Sequence, residues 1–105
     1  MAQVVQHEAG ETIVIAIEGE LDASSSAALP DRLLPLIPSG SQVRLDLSRV
    51  PYMSSAGLRA LLLVYRHSKD IAAQIKITGV QAEIRFIMSA TGFLDLFDID
   101  DTSAA

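Results

Sequence analysis

Apolar and polar residues alternate in two short segments of the chain, residues 42–48 and residues 74–78. Every second residue is Val or Leu in the first segment and Ile in the second. Such alternation is typical of a strand that buries one face and leaves the other in contact with water. A doubly wound sheet, which is covered on both faces, has nearly continuous apolar strands instead. The pattern therefore predicts a sheet with helices mainly on one face.

Two segments near the N-terminus, residues 3–8 and 11–18, predict a β-hairpin. The second segment is rich in Val and Ile, which favour strands, and Ala9-Gly10 between the two is typical of a tight turn. We therefore expect the chain to contribute a hairpin to the sheet before the alternating segments join it.

The strongest helical pattern lies between the two alternating segments. Leu58, Leu61, Leu62 and Tyr65 are spaced as i, i+3, i+4 and i+7, which places them in one stripe of a helix. A strand, a helix and a second strand in this order predict a right-handed parallel crossover.

Two further helical segments flank this unit. Residues 22–37 have helical spacing but contain Pro30 and Pro35, and because a proline inside a helix costs about 3 kcal/mol or more, we expect a short or distorted helix. Residues 81–90 predict a last helix, which Gly92 ends.

The order of elements is therefore β-β-α-β-α-β-α, with a short final strand near Phe97. This is an α/β fold with a small mixed sheet, made of the N-terminal hairpin and parallel strands, and helices mainly on one face. We expect residues 1–105 to form a single domain in which residues 98–105 are a loose acidic tail.

Composition narrows the classes of partner and cofactor. The 105 residues include 8 basic and 13 acidic side chains, for a net charge of −5, and no cysteine. Because nucleic-acid binders carry a basic surplus, we expect no direct contact with nucleic acid. We also expect no metal and no cofactor, since cysteine is absent and the two histidines lie in unrelated segments.

The start of the chain has no signal-peptide pattern and no apolar run approaches the roughly 18 residues of a membrane span, so we expect a cytoplasmic protein without such a span.

The chain shows no catalytic constellation. A serine nucleophile on a glycine-flanked turn needs glycine two places before it, and Met53 stands there before Ser55. A Walker phosphate-binding loop is also absent from the sequence. An enzyme would need an acid–base pair in a polar pocket, and since the sequence offers none, we expect no enzymatic activity.

One segment, residues 52–58, combines features of a protein-binding surface. Tyr52-Met53 are residue types enriched at interfaces, Ser54-Ser55 stand at a helix start, and the small pair Ala56-Gly57 permits close approach of another backbone. The same residues are equally typical of a loop anchor, a helix cap and a packing glycine. Physical pattern alone leaves both interpretations open.

The sequence resembles the STAS domain, the family of anti-sigma factor antagonists and of sulphate-transporter cytoplasmic domains. Residues 52–58 carry the most specific part of the resemblance, and the weaker parts are residues 19–22, 43–47 and 91–97. The resemblance covers nearly the whole chain and implies a small mixed sheet with helices mainly on one side.

The resemblance also implies a function. Stand-alone members bind an anti-sigma factor that is itself a serine kinase of the GHKL type, and binding frees the sigma factor. The kinase phosphorylates a serine at the start of the helix that follows the third strand, which releases the complex, and a serine phosphatase resets it. By position Ser55 matches that serine, and Asp22 matches an acidic residue near it.

Two positions depart from the family pattern. Ser54 stands where the family commonly has Asp, and Ala56 stands where it has Ser or Thr. These departures therefore leave open whether Ser55, Ser54 or neither is phosphorylated. The alternative hypothesis is a STAS scaffold, or a subunit of a signalling or transport complex, that is not phosphorylated.

The segment and the resemblance together define the residues expected to contact a partner. Arg59 joins them because it lies one turn into the helix and faces outward. The expected partner-binding residues are Asp22, Tyr52, Met53, Ser54, Ala56, Gly57 and Arg59.

Overall fold

The computed structural model describes residues 3–100, with the side chains of residues 7–9 and 100 excepted, and its centre is a five-stranded sheet. The strands follow the chain order across the sheet; the first pair is antiparallel and the remaining pairs are parallel. The strands are β1 (Gln3–Ala9), β2 (Thr12–Glu18), β3 (Gln42–Arg49), β4 (Gln74–Thr78) and β5 (Ile99–Asp100). The predicted mixed sheet, with a hairpin followed by parallel strands, is confirmed.

The hairpin turn lies one residue later than predicted. Ala9 is the last residue of β1 and pairs with Thr12, so the two-residue loop is Gly10-Glu11 and not Ala9-Gly10. Gly10 has a positive φ of 67°, a conformation that tight hairpin turns require and that glycine adopts at no steric cost.

Prolines divide the first helical region, as predicted. It consists of α1 (Ala23–Ser26), α2 (Leu29–Leu33) and a 3₁₀ turn (Leu34–Leu36). Pro30 and Pro35 each occupy the first turn of their own piece, where a missing N–H leaves no helical hydrogen bond unmade.

The long helix α3 (Ser55–Asp70) forms the crossover between β3 and β4. Leu58 and Leu61 are buried as predicted, but Val64 and Ser68 continue the buried stripe, and the other two predicted positions are only partly buried. The stripe differs because α3 packs against α1 and α2 as well as against the sheet, which buries a broader side of the helix than one facing surface would.

The last helix, α4 (Ala82–Thr91), ends at Gly92 in a left-handed conformation, as the sequence indicated. A 3₁₀ turn (Phe93–Leu96) and the buried Phe97 then lead into β5, which confirms the expected short final strand. The prediction of a loose tail from residue 98 is wrong for residues 98–100, because Asp98 accepts a hydrogen bond from β4 and β5 pairs with that strand. Residues 101–105 lie outside the described residues.

The core lies on one side of the sheet. In β3 the side chains of Val43, Leu45 and Leu47 are buried whereas Arg44 between them is exposed, so helices cover one face and the other stays open. Burying each such apolar side chain contributes about 1.5–3 kcal/mol to folding. None of the helices within residues 3–100 has the length and hydropathy that a membrane crossing requires.

Candidate functional site

Two helix starts lie side by side at the carboxyl edge of the sheet. β2 leads through Leu21 into α1, and β3 leads through Met53 into α3. Leu21 and Met53 form a parallel bridge, in which Leu21 N–H donates to the carbonyl of Tyr52 (3.0 Å) and Ser54 N–H donates to the carbonyl of Leu21 (2.8 Å). These bonds fix the first turn of α3 against the segment that precedes α1.

Ser54 is the N-cap of α3. Its backbone is extended (φ −81°, ψ 172°), and its hydroxyl accepts from the N–H of Gly57 (3.2 Å) and donates to the carbonyl of Leu21 (3.1 Å). A hydroxyl has one proton to donate, so the side-chain donor of Ser54 is engaged within the domain. Ser54 therefore has a structural role at this position.

Ser55 is the first residue of α3, and its environment differs from that of Ser54. Its side chain is exposed and forms no hydrogen bond with any residue in the range 3–100. The main-chain N–H groups of Ser55 and Ala56 belong to the first turn and have no partner within the helix. The Ser55 hydroxyl is thus reachable from solvent at the positive end of a 16-residue helix.

Asp22 is the N-cap of α1 and carries a fixed negative charge beside this edge. Its carboxylate accepts from the N–H of Ser25 (2.9 Å) and from the hydroxyls of Ser24 (2.9 Å) and Ser25 (3.0 Å). The Ser25 N–H, followed by the Ser24 and Ser25 hydroxyls, lowers the pKa of Asp22 to about 2. Asp22 is therefore ionised at neutral pH and belongs to a capping box.

Two residues predicted to contact a partner are buried. Met53 is 2% exposed and belongs to the core, and Gly57 is buried as well. A Cβ on Gly57 would lie 2.7 Å from Cγ of Met53 and 2.9 Å from the carbonyl oxygen of Leu21. The close approach that this glycine permits is thus internal, and the prediction that Met53 and Gly57 form the partner surface is wrong. Both residues support the surface from beneath.

The other predicted residues share the exterior of the same edge. Tyr52 is 48% exposed, Arg59 is exposed, and Ala56 is partly exposed between them. Ser55 and Arg59 are four residues apart on α3, so they lie on one side of the helix, with Cβ atoms about 5–6 Å apart. The exterior therefore offers an aromatic ring, a free hydroxyl and a cation around a small side chain.

A groove between α1, α2 and α3 continues from this surface, and sequence reasoning missed it. It has a volume of about 240 Å³, and its walls include Ala23, Ala27, Pro30, Arg59 and Leu63. Leu63 is 55% exposed and lies off the predicted stripe, which was the one signal in the sequence for an apolar surface here.

The side chains exposed around Ser55 are of types that are found at binding surfaces. No cluster of three or more His, Asp or Glu side chains that could hold a metal occurs within the part of the chain described. The neighbour of Ser55 on its own helix side is Arg59, whose guanidinium attracts anions.

Known proteins resemble this chain in sequence and in fold. The anti-sigma-B factor antagonist of Bacillus subtilis is 30% identical over 91 residues, which cover 87% of this chain and 84% of that protein. A crystal structure of an anti-sigma factor antagonist from Mycobacterium paratuberculosis matches with a TM-score of 0.83 at 19% identity, covering 98% of this chain and 88% of that chain. The phosphorylated form of the Bacillus cell fate determinant SpoIIAA matches with a TM-score of 0.66 at 18% identity, covering 95% and 93% of the two chains.

The two structures show a common fold, and the family model adds the sequence pattern. The model of the STAS domain matches residues 3–105, which include every element and every site residue described above. The resemblance seen in residues 52–58 is thereby confirmed over the whole fold. This chain belongs to the STAS domain family.

Proposed function

We propose that this protein is an anti-sigma factor antagonist that binds an anti-sigma factor of the GHKL serine-kinase type and is released when that kinase phosphorylates Ser55. Binding would free the sigma factor and so regulate transcription indirectly, and a serine phosphatase would restore the binding form. The observation that carries the proposal is the exposed Ser55 hydroxyl, without a hydrogen bond to residues 3–100, at the start of α3. The similarity to anti-sigma factor antagonists supports the class of partner.

The choice of Ser55 over Ser54 rests on their hydrogen bonds. A kinase must reach the hydroxyl oxygen and remove its proton, and the proton of Ser54 is donated to the carbonyl of Leu21. Phosphorylating Ser54 would break this bond and the cap bond from Gly57. Ser55 can be modified without loss of any hydrogen bond among the residues that the structure describes.

A phosphate on Ser55 would leave the domain folded. It would add about −1.5 to −2 charges at the positive end of α3, where an exposed anion is favourable by about 0.3–1 kcal/mol. The N–H groups of the first turn that have no partner within the helix would donate hydrogen bonds to the phosphate oxygens. The modification must therefore act on the complex and not on the fold.

In the complex the phosphate would oppose binding in two ways. It would fill the space above the small side chain of Ala56, and it would set a dianion against any acidic group that the partner brings to this surface. Like charges brought together at an interface cost several kcal/mol. About 3 kcal/mol is enough to weaken binding more than 100-fold, so a local charge would suffice without a change of conformation.

The proposed interface consists of the predicted partner-binding residues around Ser55 that are not buried. It comprises Asp22, Tyr52, Ser54, Ala56 and Arg59, of which Tyr52 supplies the largest exposed apolar surface, at 48% exposure. Aromatic and arginine side chains provide much of the binding energy at protein interfaces.

The proposal is tested with the kinase itself. The anti-sigma factor that co-purifies with the immobilised domain from a cell extract is identified, purified and incubated with ATP and the domain, and the intact mass is measured. We expect one phosphate on the wild type and on Ser54→Ala, and none on Ser55→Ala. A phosphate that survives in Ser55→Ala and disappears in Ser54→Ala would move the site to Ser54. A stable complex in which no phosphate is ever gained would favour the scaffold or subunit hypothesis and overturn the switch.

A further inference from the structure

The groove between α1, α2 and α3 begins beside the proposed phosphorylation site, since Ala56 is one of the residues that line it. Arg59 lines it and is also the residue four positions after Ser55 on the same side of α3. A protein that covers Ser55 would therefore extend over the mouth of the groove. This continuity links the groove to the same partner.

The walls of the groove are apolar and mostly small. Ala23 from α1, Ala27 directly after α1, Pro30 from α2 and Leu63 from α3 surround a volume of about 240 Å³. Leu63 is 55% exposed, which is a large apolar side chain left in contact with water. A groove with these walls accepts a large apolar side chain, because small residues leave the space and Leu63 provides a contact surface.

Two polar groups of the groove have no partner in the range 3–100. The guanidinium of Arg59 forms no ion pair there, although the chain has an acidic surplus. Ser26, 2% exposed, has a buried hydroxyl oxygen that forms no hydrogen bond with any described residue. A buried hydroxyl without a partner costs free energy, but this oxygen lies beneath the surface of the groove, so Arg59 is the polar group of the two that a partner can reach.

We propose that this groove receives a large apolar side chain of the anti-sigma factor, flanked by a carboxylate that pairs with Arg59. The assignment rests on the proposed function and names the chemistry of the partner's surface. Charge complementarity selects the carboxylate, because Arg59 is the cation on the groove and a guanidinium pairs with carboxylates through two parallel hydrogen bonds.

The same geometry explains how phosphorylation of Ser55 would weaken the binding of the partner in the groove. A phosphate on Ser55 would lie one turn from Arg59 and compete with the partner's carboxylate for the same guanidinium. Phosphorylation would thus remove an attractive contact as well as add a repulsive one, and Arg59 would belong to both states of the switch.

The test uses substitutions of two arginines on α3 and one substitution that fills the groove with a large side chain. Arg59→Glu is paired with Arg66→Glu, an exposed arginine of α3 that does not line the groove, and Ala27→Trp fills the groove from an exposed position. With the purified anti-sigma factor we expect at least tenfold weaker binding for Arg59→Glu and Ala27→Trp, less than twofold change for Arg66→Glu, and wild-type melting temperatures for all three. Recovery of Arg59→Glu binding by a carboxylate-to-lysine change in the partner would establish the pair.

The possible outcomes distinguish failure of the groove proposal from failure of the proposed function. If the anti-sigma factor binds the wild type and dissociates from Ser55→Asp, while Arg59→Glu and Ala27→Trp bind normally, the groove proposal fails and the proposed function stands. Equal weakening by Arg59→Glu and Arg66→Glu would indicate general electrostatics and would also overturn the contact. If no anti-sigma factor binds the wild-type domain, the proposed function and the role of the groove fail together.

Discussion

The hydroxyl of Ser54 lies 3.1 Å from the carbonyl oxygen of Leu21, a residue 33 positions earlier in the chain. This bond and the cap bond from the N–H of Gly57 join the start of α3 to the segment before α1. The residue that caps the helix therefore also holds the two helix starts together, whereas the hydroxyl of the neighbouring Ser55 forms no hydrogen bond within residues 3–100.

Ser54→Ala should destabilise the domain. Loss of an N-cap side chain costs about 0.5–2 kcal/mol, and here the bond to Leu21 is lost as well, so we expect a value of about 1–2 kcal/mol. Urea denaturation of both variants measures this, with Ser55→Ala as the matched control, which should stay within about 0.5 kcal/mol of the wild type. Equal losses for the two serines would contradict the different roles assigned to them.

Gly57→Ala should also destabilise the domain, although alanine is the better helix former. The gain in helix propensity is at most about 1 kcal/mol. The new Cβ would lie 2.9 Å from the backbone oxygen of Leu21, which cannot move aside as the end of a flexible side chain could. Overpacking of this kind costs about 1–3 kcal/mol, so a net loss is expected in urea denaturation. A more stable Gly57→Ala would show that the two segments are not in close contact.

Ala72→Gly should stabilise the domain. Ala72 follows the last turn of α3 with a φ of 58°, a left-handed conformation that costs a non-glycine residue about 1–2 kcal/mol. Glycine avoids this cost but loses about 0.5–1 kcal/mol of backbone entropy on folding, which leaves a gain of up to about 1 kcal/mol. Thermal and urea unfolding measure the gain, and Ala73→Gly, at the adjacent buried position, should instead destabilise.

The stability of the domain should fall as Asp22 is protonated. Hydrogen bonds lower its pKa from 3.8 to about 2, so its contribution is complete above about pH 4–5 and is lost as the pH falls through 3.8 towards 2. The difference in unfolding free energy between the wild type and Asp22→Asn should therefore shrink over this range. A difference that stays constant from pH 6 to pH 2 would show that the charge of Asp22 is not what stabilises the start of α1.

Ser55→Asp should separate binding from folding. The carboxylate imitates part of the phosphate charge, so binding to the anti-sigma factor should weaken at least tenfold. The melting temperature should stay near that of the wild type, because an acidic residue in the first turn of α3 is favourable. Calorimetric titration and thermal unfolding measure the two effects on the same samples. Unchanged affinity would count against a switch based on charge.

Local periodicity predicted most of the fold because it depends on neighbours within one element. The alternation in β3 and β4 placed both strands and the open face of the sheet, and Pro30 and Pro35 marked the breaks in the first helical region. The residues that end α4 and begin α3 could also be found, since capping and left-handed termination are set by a few adjacent residues.

The roles within residues 52–57 were decided by the tertiary structure. The sequence by itself determined that a serine pair stands at a helix start and that the chain resembles the STAS family. It did not determine that the hydroxyl of Ser54 would donate to Leu21 or that Met53 and Gly57 would be buried. It also did not determine that the hydroxyl of Ser55 would have no hydrogen bond within residues 3–100. The groove between α1, α2 and α3 is likewise built from segments far apart in the chain. Both depend on long-range contacts, because burial and hydrogen bonding at this edge are set by residues that only the folded sheet brings together.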